Sequence, residues 1–239
     1  MKKRLLITTD TFPPRYDGVA KFLSEVIPIL SKYYKITVIA PNYGNYKIKK
    51  VKIVRFPLYK IEVGGFRPAK INIERINRLV DESDLVFNNT LGPIGVASIL
   101  HASKVKKPIF SYVHSIEWIL FSEAIKLPST LKKYTNITTK RLAKILYNKC
   151  TALIVPSLEV TNLLRRNGIK TKKIIVEVGI SKEFRTGNTK KKLKLNDNIV
   201  IGYCGRLSRE KNLETLLAAF KKLDYNKKFL LIVGNGPYR

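Results

Sequence analysis

The chain reads as an α/β protein built on a doubly wound parallel sheet, and three observations carry that reading. Short apolar runs alternate with longer segments of helical period, the pattern of successive βαβ units. Within the runs the apolar residues are continuous rather than alternating, as in strands covered on both faces. A polar stretch, 181–198, then separates this long series from a fresh strand–helix–strand. The expected division is therefore a domain over 1–180, a linker over 181–198 and a second, smaller domain over 199–239.

Each element has its own local signal. Arg4–Thr8 reads as a buried strand followed by a turn-rich loop from Thr9 to Gly18. A helix over Val19–Lys32 leads to a strand over Lys35–Ala40, stopped by Pro41, and a third strand over Val51–Phe56. Gly64-Gly65-Phe66 marks the Phe56–Pro68 segment as a loop, and Asn72–Val80 reads as a short helix. After the Leu85–Asn88 strand, Pro93 suits the first turn of a helix running to Ser103, because proline lacks an N–H that this turn would leave unpaired. His101 falls within that helix and reads as structural.

Ile109–Val113 is the next strand, and a helix covers Leu131–Asn148. The apolar Trp118-Ile119-Leu120-Phe121 between them reads as loop. Ala152–Val155 is a strand, Ser157 caps the helix that follows, and Gly168 ends it. Ile174–Val178 closes the first series. Beyond the linker, with its Lys190-Lys191-Lys192 run, come Ile199–Tyr203, Asn212–Leu223 and Phe229–Val233.

Composition narrows the function classes. The 239 residues carry 46 lysines and arginines against 17 carboxylates, a formal charge of +29. Such an excess either attracts an anionic partner (nucleic acid, an anionic membrane or a phosphorylated substrate) or reflects solvated lysine faces. No nucleic-acid recognition motif accompanies it. Cys150 and Cys204 lack the paired spacing of a metal or disulfide framework and read as buried thiols of a reducing compartment. Leu5-Leu6-Ile7 is too short for a signal-peptide core, and no apolar run approaches the roughly 20 residues of a spanning helix. The expected location is cytoplasmic, including peripheral contact with the inner face of the cell membrane.

In open α/β sheets ligands gather at the carboxyl ends of the strands, so three loops stand out. The first is Asp10-Thr11-Phe12-Pro13-Pro14-Arg15-Tyr16-Asp17-Gly18, where Gly18 at a helix start would let a ligand approach the backbone. The second is His114-Ser115-Ile116-Glu117-Trp118, whose histidine is placed to bond a substrate hydroxyl or move a proton. The third is Gly205-Arg206-Leu207-Ser208-Arg209-Glu210-Lys211-Asn212, a glycine and several cations at a strand-to-helix turn. That combination suits a diphosphate: backbone amides favour the anion, and Arg206 and Lys211 add charged donors. Gly234-Asn235-Gly236-Pro237 lies after the next strand and could help wrap the same group. No G-x-G-x-x-G, P-loop, G-x-S-x-G elbow or Asp-x-Asp pair is present. The Leu131–Lys149 segment mixes apolar residues with lysines, so it either covers its own sheet or lies on an anionic membrane.

These residues resemble the retaining GT-B-fold glycosyltransferases, in the group of the bacterial lipid glucosyltransferases and phosphatidylinositol mannosyltransferases. The resemblance rests on Pro13-Pro14…Asp17-Gly18-Val19-Ala20, Gly92-Pro93-Ile94-Gly95, Tyr112-Val113-His114, Val155-Pro156-Ser157, Gly205-Arg206…Glu210-Lys211-Asn212 and Gly234-Asn235-Gly236-Pro237, in that order. It implies a complete N-terminal Rossmann-like domain that binds the acceptor, plus the first β-α-β of a second one that binds the donor. It implies sugar transfer with retention, from a nucleotide-diphosphate-sugar to a hydroxyl acceptor, either a membrane lipid or a saccharide. By the same resemblance Arg206 and Lys211 hold the diphosphate and stabilise its departure. His114 contacts the transferred sugar, Gly18 lets the first loop approach the donor or acceptor, and Gly205, Gly234 and Gly236 line the donor. No metal and no further cofactor is expected.

Two departures qualify the resemblance. Val176-Glu177-Val178-Gly179-Ile180 replaces the family's Pro-Asn-Gly-(Val/Ile)-Asp turn, and the E-x7-E motif would lie beyond Arg239. The expectation is a chain truncated in its second domain, with weak transfer alone, whether as a fragment, a split enzyme completed by a second chain or a decayed paralogue. A non-catalytic acceptor- or membrane-binding half, working with a partner subunit, is the alternative.

Overall fold

A computed structural model describes residues 2–62, 66–124, 128–179, 187, 189–208, 211–236 and 238. The chain divides into two compact units, Met1–Gly179 and Ile180–Arg239.

The first unit is built on a seven-stranded parallel sheet. Its strands are β1 (Arg4–Thr8), β2 (Lys35–Pro41), β3 (Lys52–Phe56), β4 (Leu85–Asn88), β5 (Ile109–Tyr112), β6 (Ala152–Val155) and β7 (Lys172–Ile175), in spatial order β3-β2-β1-β4-β5-β6-β7. Between them run α1 (Gly18–Leu30), α2 (Ile73–Asp81), α3 (Pro93–Lys104), α4 (Glu117–Ala124), α5 (Ser129–Tyr147) and α6 (Leu158–Arg166). Neighbouring residues of one strand point to opposite faces, and the core follows that rule. Leu5 and Ile7 join Leu23 and Ile27 of α1 on one face, while Leu6 joins Ile76, Ile94, Ile99 and Leu146 from α2, α3 and α5 on the other. Helices on both faces explain the continuous apolar runs.

The order of strands reverses between β1 and β4, where a doubly wound sheet opens a crevice at the carboxyl ends of its strands. Thr8 of β1 pairs with Asn88 of β4, and Asn88 with Ser111 of β5. This register places the loops after β1, β4 and β5 side by side.

Local chemistry sets the helix boundaries. Asp17, Asn72 and Ser157 each occupy an N-cap, accepting from the amides of Ala20, Arg75 and Val160. Gly168 leaves α6 with φ of 76°, the left-handed conformation glycine tolerates best. Three expectations need correction. Glu117–Ala124 is a helix rather than a loop, its Trp118 buried in the core cluster. The last strand runs from Lys172 to Ile175, not from Ile174 to Val178: at the sheet edge Lys172 and Lys173 pair with β6 while the Lys172 side chain stays exposed and Lys173 Nζ folds back onto the Ile169 carbonyl. The polar stretch also contains one helical turn, α7 (Thr189–Lys192).

The second unit holds β8 (Ile199–Cys204), α8 (Leu213–Lys222) and β9 (Lys228–Val233), with β8 and β9 paired in parallel. A parallel pair joined through a helix is the β-α-β unit that the sequence pattern predicts. Cys150 is buried, but Cys204, at the carboxyl end of β8, is exposed, against expectation. No helix among the described residues is long and apolar enough to cross a membrane.

Candidate functional site

At the switch point of the first sheet, Asp10 is buried beneath the start of α3. Its Oδ1 accepts from the Ile94 amide at 2.8 Å, and its Oδ2 from the Gly95 amide at 3.1 Å and the Thr90 hydroxyl at 2.8 Å. A carboxylate there satisfies orphan amides and meets the positive end of the helix dipole. Burial raises the Asp10 pKa, and those hydrogen bonds oppose the rise. The two glycines of this helix start are steric necessities. A Cβ on Gly92 would lie 2.4 Å from Asp10 Cγ, and one on Gly95 would lie 1.8 Å from the Thr90 carbonyl oxygen. Gly92-Pro93-Ile94-Gly95 therefore encodes a close approach of two loops, with Asp10 as the cap the motif needs.

In the neighbouring loop Asp17 has a similar role. Its Oδ1 accepts from the Ala20 amide at 2.8 Å, while Oδ2 receives Arg15 Nε at 2.9 Å and the Thr11 hydroxyl. The Arg15 guanidinium also lies over the rings of Tyr43 and Phe66, at 5.1 and 5.9 Å, tying the loops after β1, β2 and β3 together. Gly18 differs from Gly92 and Gly95, because a Cβ built on it meets nothing within 4 Å. Packing does not demand a glycine at this position. The space in front of the first turn of α1 is open, as close approach of a ligand requires.

His114 follows β5 and sits against both loops. Its ring stacks on Tyr112 at 4.2 Å and meets Phe22 of α1 edge-on at 4.8 Å. Its Nε2 lies 3.2 Å from Asn89 Oδ1, and Asn89 Nδ2 donates to the Phe87 carbonyl. That second bond fixes the amide orientation, so Nε2 carries the hydrogen and Nδ1 carries the lone pair. Burial pushes the His114 pKa down to about 4, with Asp17 pulling weakly the other way. At neutral pH the ring is an uncharged hydrogen-bonding group.

Three residues on, Glu117 opens α4. Its Oε1 accepts from the buried Tyr147 hydroxyl of α5 at 2.5 Å, while Oε2 is buried without a hydrogen-bond partner among the described residues. Burial pushes the carboxyl up to about 7, opposed by the Tyr147 bond. Nothing in the sequence marks this pair, since a helix-start glutamate is normally solvated.

The loops of the second unit interlock through their glycines. The Gly205 amide donates to Val233 O at 2.9 Å and the Leu207 amide to Asn235 O at 3.0 Å. A Cβ on Gly234 would lie 1.8 Å from Gly205 O, and one on Gly236 would lie 2.2 Å from Leu207 O. Leu207, Ser208 and Leu213 are buried, which seats the turn between β8 and α8. Arg206 and Lys211 remain exposed at the carboxyl end of β8. Tyr203 Oη donates to the Arg206 carbonyl at 2.7 Å, bracing the backbone from which that arginine projects. Glycine here serves loop-on-loop packing first, and the cations stand on a braced turn. Arg209, Glu210, Pro237, Gly64, Gly65 and Ile180 lie outside the described residues.

His101, within α3, places its Nε2 within hydrogen-bond distance of Asp81 Oδ1, at 2.9 Å, and tethers α3 to α2, the structural role expected of it. Among the described residues no three His, Cys, Asp or Glu side chains gather in the manner of a metal site.

A parallel sheet with its crevice at the β1/β4 switch, followed by a second β-α-β with a braced cationic turn, is the architecture of a GT-B glycosyltransferase. Residues 16–180 match the family model Glycosyltransferase Family 4, and residues 185–239 match Glycosyl transferases group 1. The chain belongs to Glycosyltransferase Family 4. No curated protein sequence matches it significantly.

Among solved structures, a glycosyltransferase from Rickettsia africae superposes with a TM-score of 0.59 at 17% identity, covering 98% of this chain and 60% of that one. An Escherichia coli structure described as trehalose-6-phosphate bound with UDP-2-fluoro glucose gives 0.58 at 13%, covering 98% and 65%. The S. aureus MnaA–UDP structure gives 0.52 at 12%, covering 97% and 62%. At such identities the likeness speaks for the fold. The chain spans about 60–65% of the length of these three structures.

Proposed function

We propose that the protein transfers a sugar, with retention, from a nucleotide-diphosphate-sugar to a hydroxyl acceptor. The observation that carries this is the braced turn after β8, with Arg206 and Lys211 exposed beside it, within a segment matching Glycosyl transferases group 1. Two cations beside a helix start suit a diphosphate in the substrate and suit it better as charge develops on departure. Support for the donor also comes from the UDP or UDP-sugar in the E. coli and S. aureus structures.

In this reading residues 1–180 bind the acceptor, and residues 199–239 contribute the first donor loops. His114 acts as a neutral acceptor: its Nδ1 lone pair takes a hydrogen bond from a sugar hydroxyl while Nε2 stays anchored on Asn89. A ring held near pKa 4 cannot serve as a proton donor at neutral pH, so its contribution is orientation.

We further infer a membrane-lipid acceptor. Leu131, Tyr134, Ile137, Leu142 and Ile145 are all exposed on α5, interleaved with Lys132, Lys133, Lys140 and Arg141. Ala143, Leu146 and Tyr147 of the same helix cover the sheet. An apolar stripe among cations favours an anionic surface. The same face favours the alternative reading, a non-catalytic acceptor- or membrane-binding half completed by a second chain.

A panel of labelled UDP- and GDP-sugars, offered with phospholipid extracts and with oligosaccharides, tests the proposal. Transfer to the lipid fraction with unchanged anomeric configuration is expected. An inverted product, or donor conversion with no transfer, would contradict it.

A further inference from the structure

We propose that a groove at the opposite end of the first sheet, between α6 and β7, is a binding site for a phosphate group. The residues lining it are Arg165, Ile169, Lys170, Thr171, Lys172 and Lys173, around a volume of about 390 Å³. The connection from α6 to β7 precedes its strand, so the groove lies at the amino-terminal rim of the parallel sheet. His114 and the Asp10 loop follow their strands and lie at the carboxyl rim. The groove is therefore separate from the candidate active site.

Four of its six lining residues are cations, and none is a carboxylate. From 124 to 176 the sole acidic residue is Glu159, in the first turn of α6, at the end of that helix away from the groove. A cleft lined by one sign of charge concentrates its field and raises the local concentration of counter-ions.

One of the cations, Lys173, and the backbone of the connecting turn are also held in place. Lys173 Nζ is turned onto the Ile169 carbonyl, within the groove wall, and Ile169 is itself buried. Burial lowers the Lys173 pKa, and the Arg165 charge lowers it further, a sign that these two like charges converge. Asn148 braces the connecting turn, its Oδ1 accepting from the Lys170 amide at 2.7 Å and its Nδ2 donating to Gly168 O. Thr171 Oγ1 donates to the Tyr147 carbonyl at 2.7 Å. Like charges gathered on a braced turn favour a bound anion, and Arg165 offers the planar fork that suits phosphate oxygens.

Free phosphates and phospholipid headgroups share this chemistry, and the test separates them. Pyrophosphate is titrated into the full chain carrying Arg206→Ala and Lys211→Ala, so that the donor turn does not contribute. Amide shifts are followed by NMR over residues 165–173. In parallel, vesicles of phosphatidylcholine with phosphatidic acid are sedimented with the unaltered chain.

Arg165→Gln with Lys172→Gln removes two groove charges; both side chains are exposed, so folding is preserved. Lys47→Gln with Lys49→Gln removes the same charge elsewhere. Expected is saturable binding to pyrophosphate, to the acidic vesicles, or to both, weakened by about tenfold or more in the groove variant and unchanged in the control. Loss confined to pyrophosphate identifies a free phosphate, and loss confined to vesicles identifies a headgroup. No saturable binding of either, or equal weakening in both variants, would overturn the proposal.

Discussion

Glycine has two distinct uses in this protein, and single residues separate them. Gly95 is fixed by packing: a Cβ there would sit 1.8 Å from a backbone oxygen. Gly95→Ala should therefore lower stability by about 2 kcal/mol or more, as overpacking against backbone does, measurable by urea denaturation. Gly18→Ala adds a methyl to open space and should leave the melting temperature nearly unchanged while weakening ligand binding. Equal destabilisation by both substitutions would contradict the distinction. Asp10→Ala should cost about 2–3 kcal/mol, because it strands two buried helix-start amides and the partly buried Thr90 hydroxyl. Gly18 and His114 are legible in the sequence through their position after strands. Asp10 and Asn89 are not, because their importance comes from partners some 80 and 25 residues away.

At the scale of elements, the pair formed by α4 and α5 carries a pH signature. Glu117 is held near 7 against an ordinary 4.5, so its folded state prefers the proton. Its contribution to stability is present below about pH 4.5 and is lost as pH rises towards 7, by about 3 kcal/mol. His114 is held near 4 against 6.5, so its folded state prefers the neutral ring. That contribution is present above about pH 6.5 and is lost as pH falls towards 4, again by about 3 kcal/mol.

Between about pH 4.5 and 6.5 the two slopes oppose one another. Relative to the unaltered chain, Glu117→Gln should make stability rise with pH across that interval, and His114→Gln should make it fall. Urea titrations at several pH values check both signs, and parallel profiles for the two variants would count against them. The α4 helix is illegible in the sequence because Trp118-Ile119-Leu120-Phe121 is apolar all round and has no helical period. Strands β1, β2, β4, β5 and β6 are legible because burial on both faces leaves largely apolar runs, and edge strand β3 through its Val51–Phe56 alternation. Edge strand β7 begins with two lysines, which hide its start.

For the molecule as a whole, three cationic sets stand out within a charge of +29. One cationic set accompanies the exposed apolar stripe of α5, another lines the α6–β7 groove, and a third stands on the β8–α8 turn. We propose that each serves a different anion: a membrane surface, a phosphate group and a donor diphosphate. Composition alone indicates the sign of the partner but not this division, which depends on how the rims of the sheet gather distant loops. If the α5 face docks on membranes, binding to anionic vesicles should fall steeply between about 50 and 300 mM salt, because screening shortens to a few ångströms. Leu131→Ser with Tyr134→Ser should weaken it without altering stability, as both side chains are exposed.

The central claim is that Arg206 and Lys211 grip the diphosphate of a nucleotide-sugar. Calorimetric titration of UDP and of GDP into the chain, unaltered and with Arg206→Ala and Lys211→Ala, tests it most directly. Saturable binding of at least one nucleotide is expected, weakened by about tenfold or more in the double variant. Binding that is unchanged by the double substitution, or no binding of either nucleotide, would contradict it.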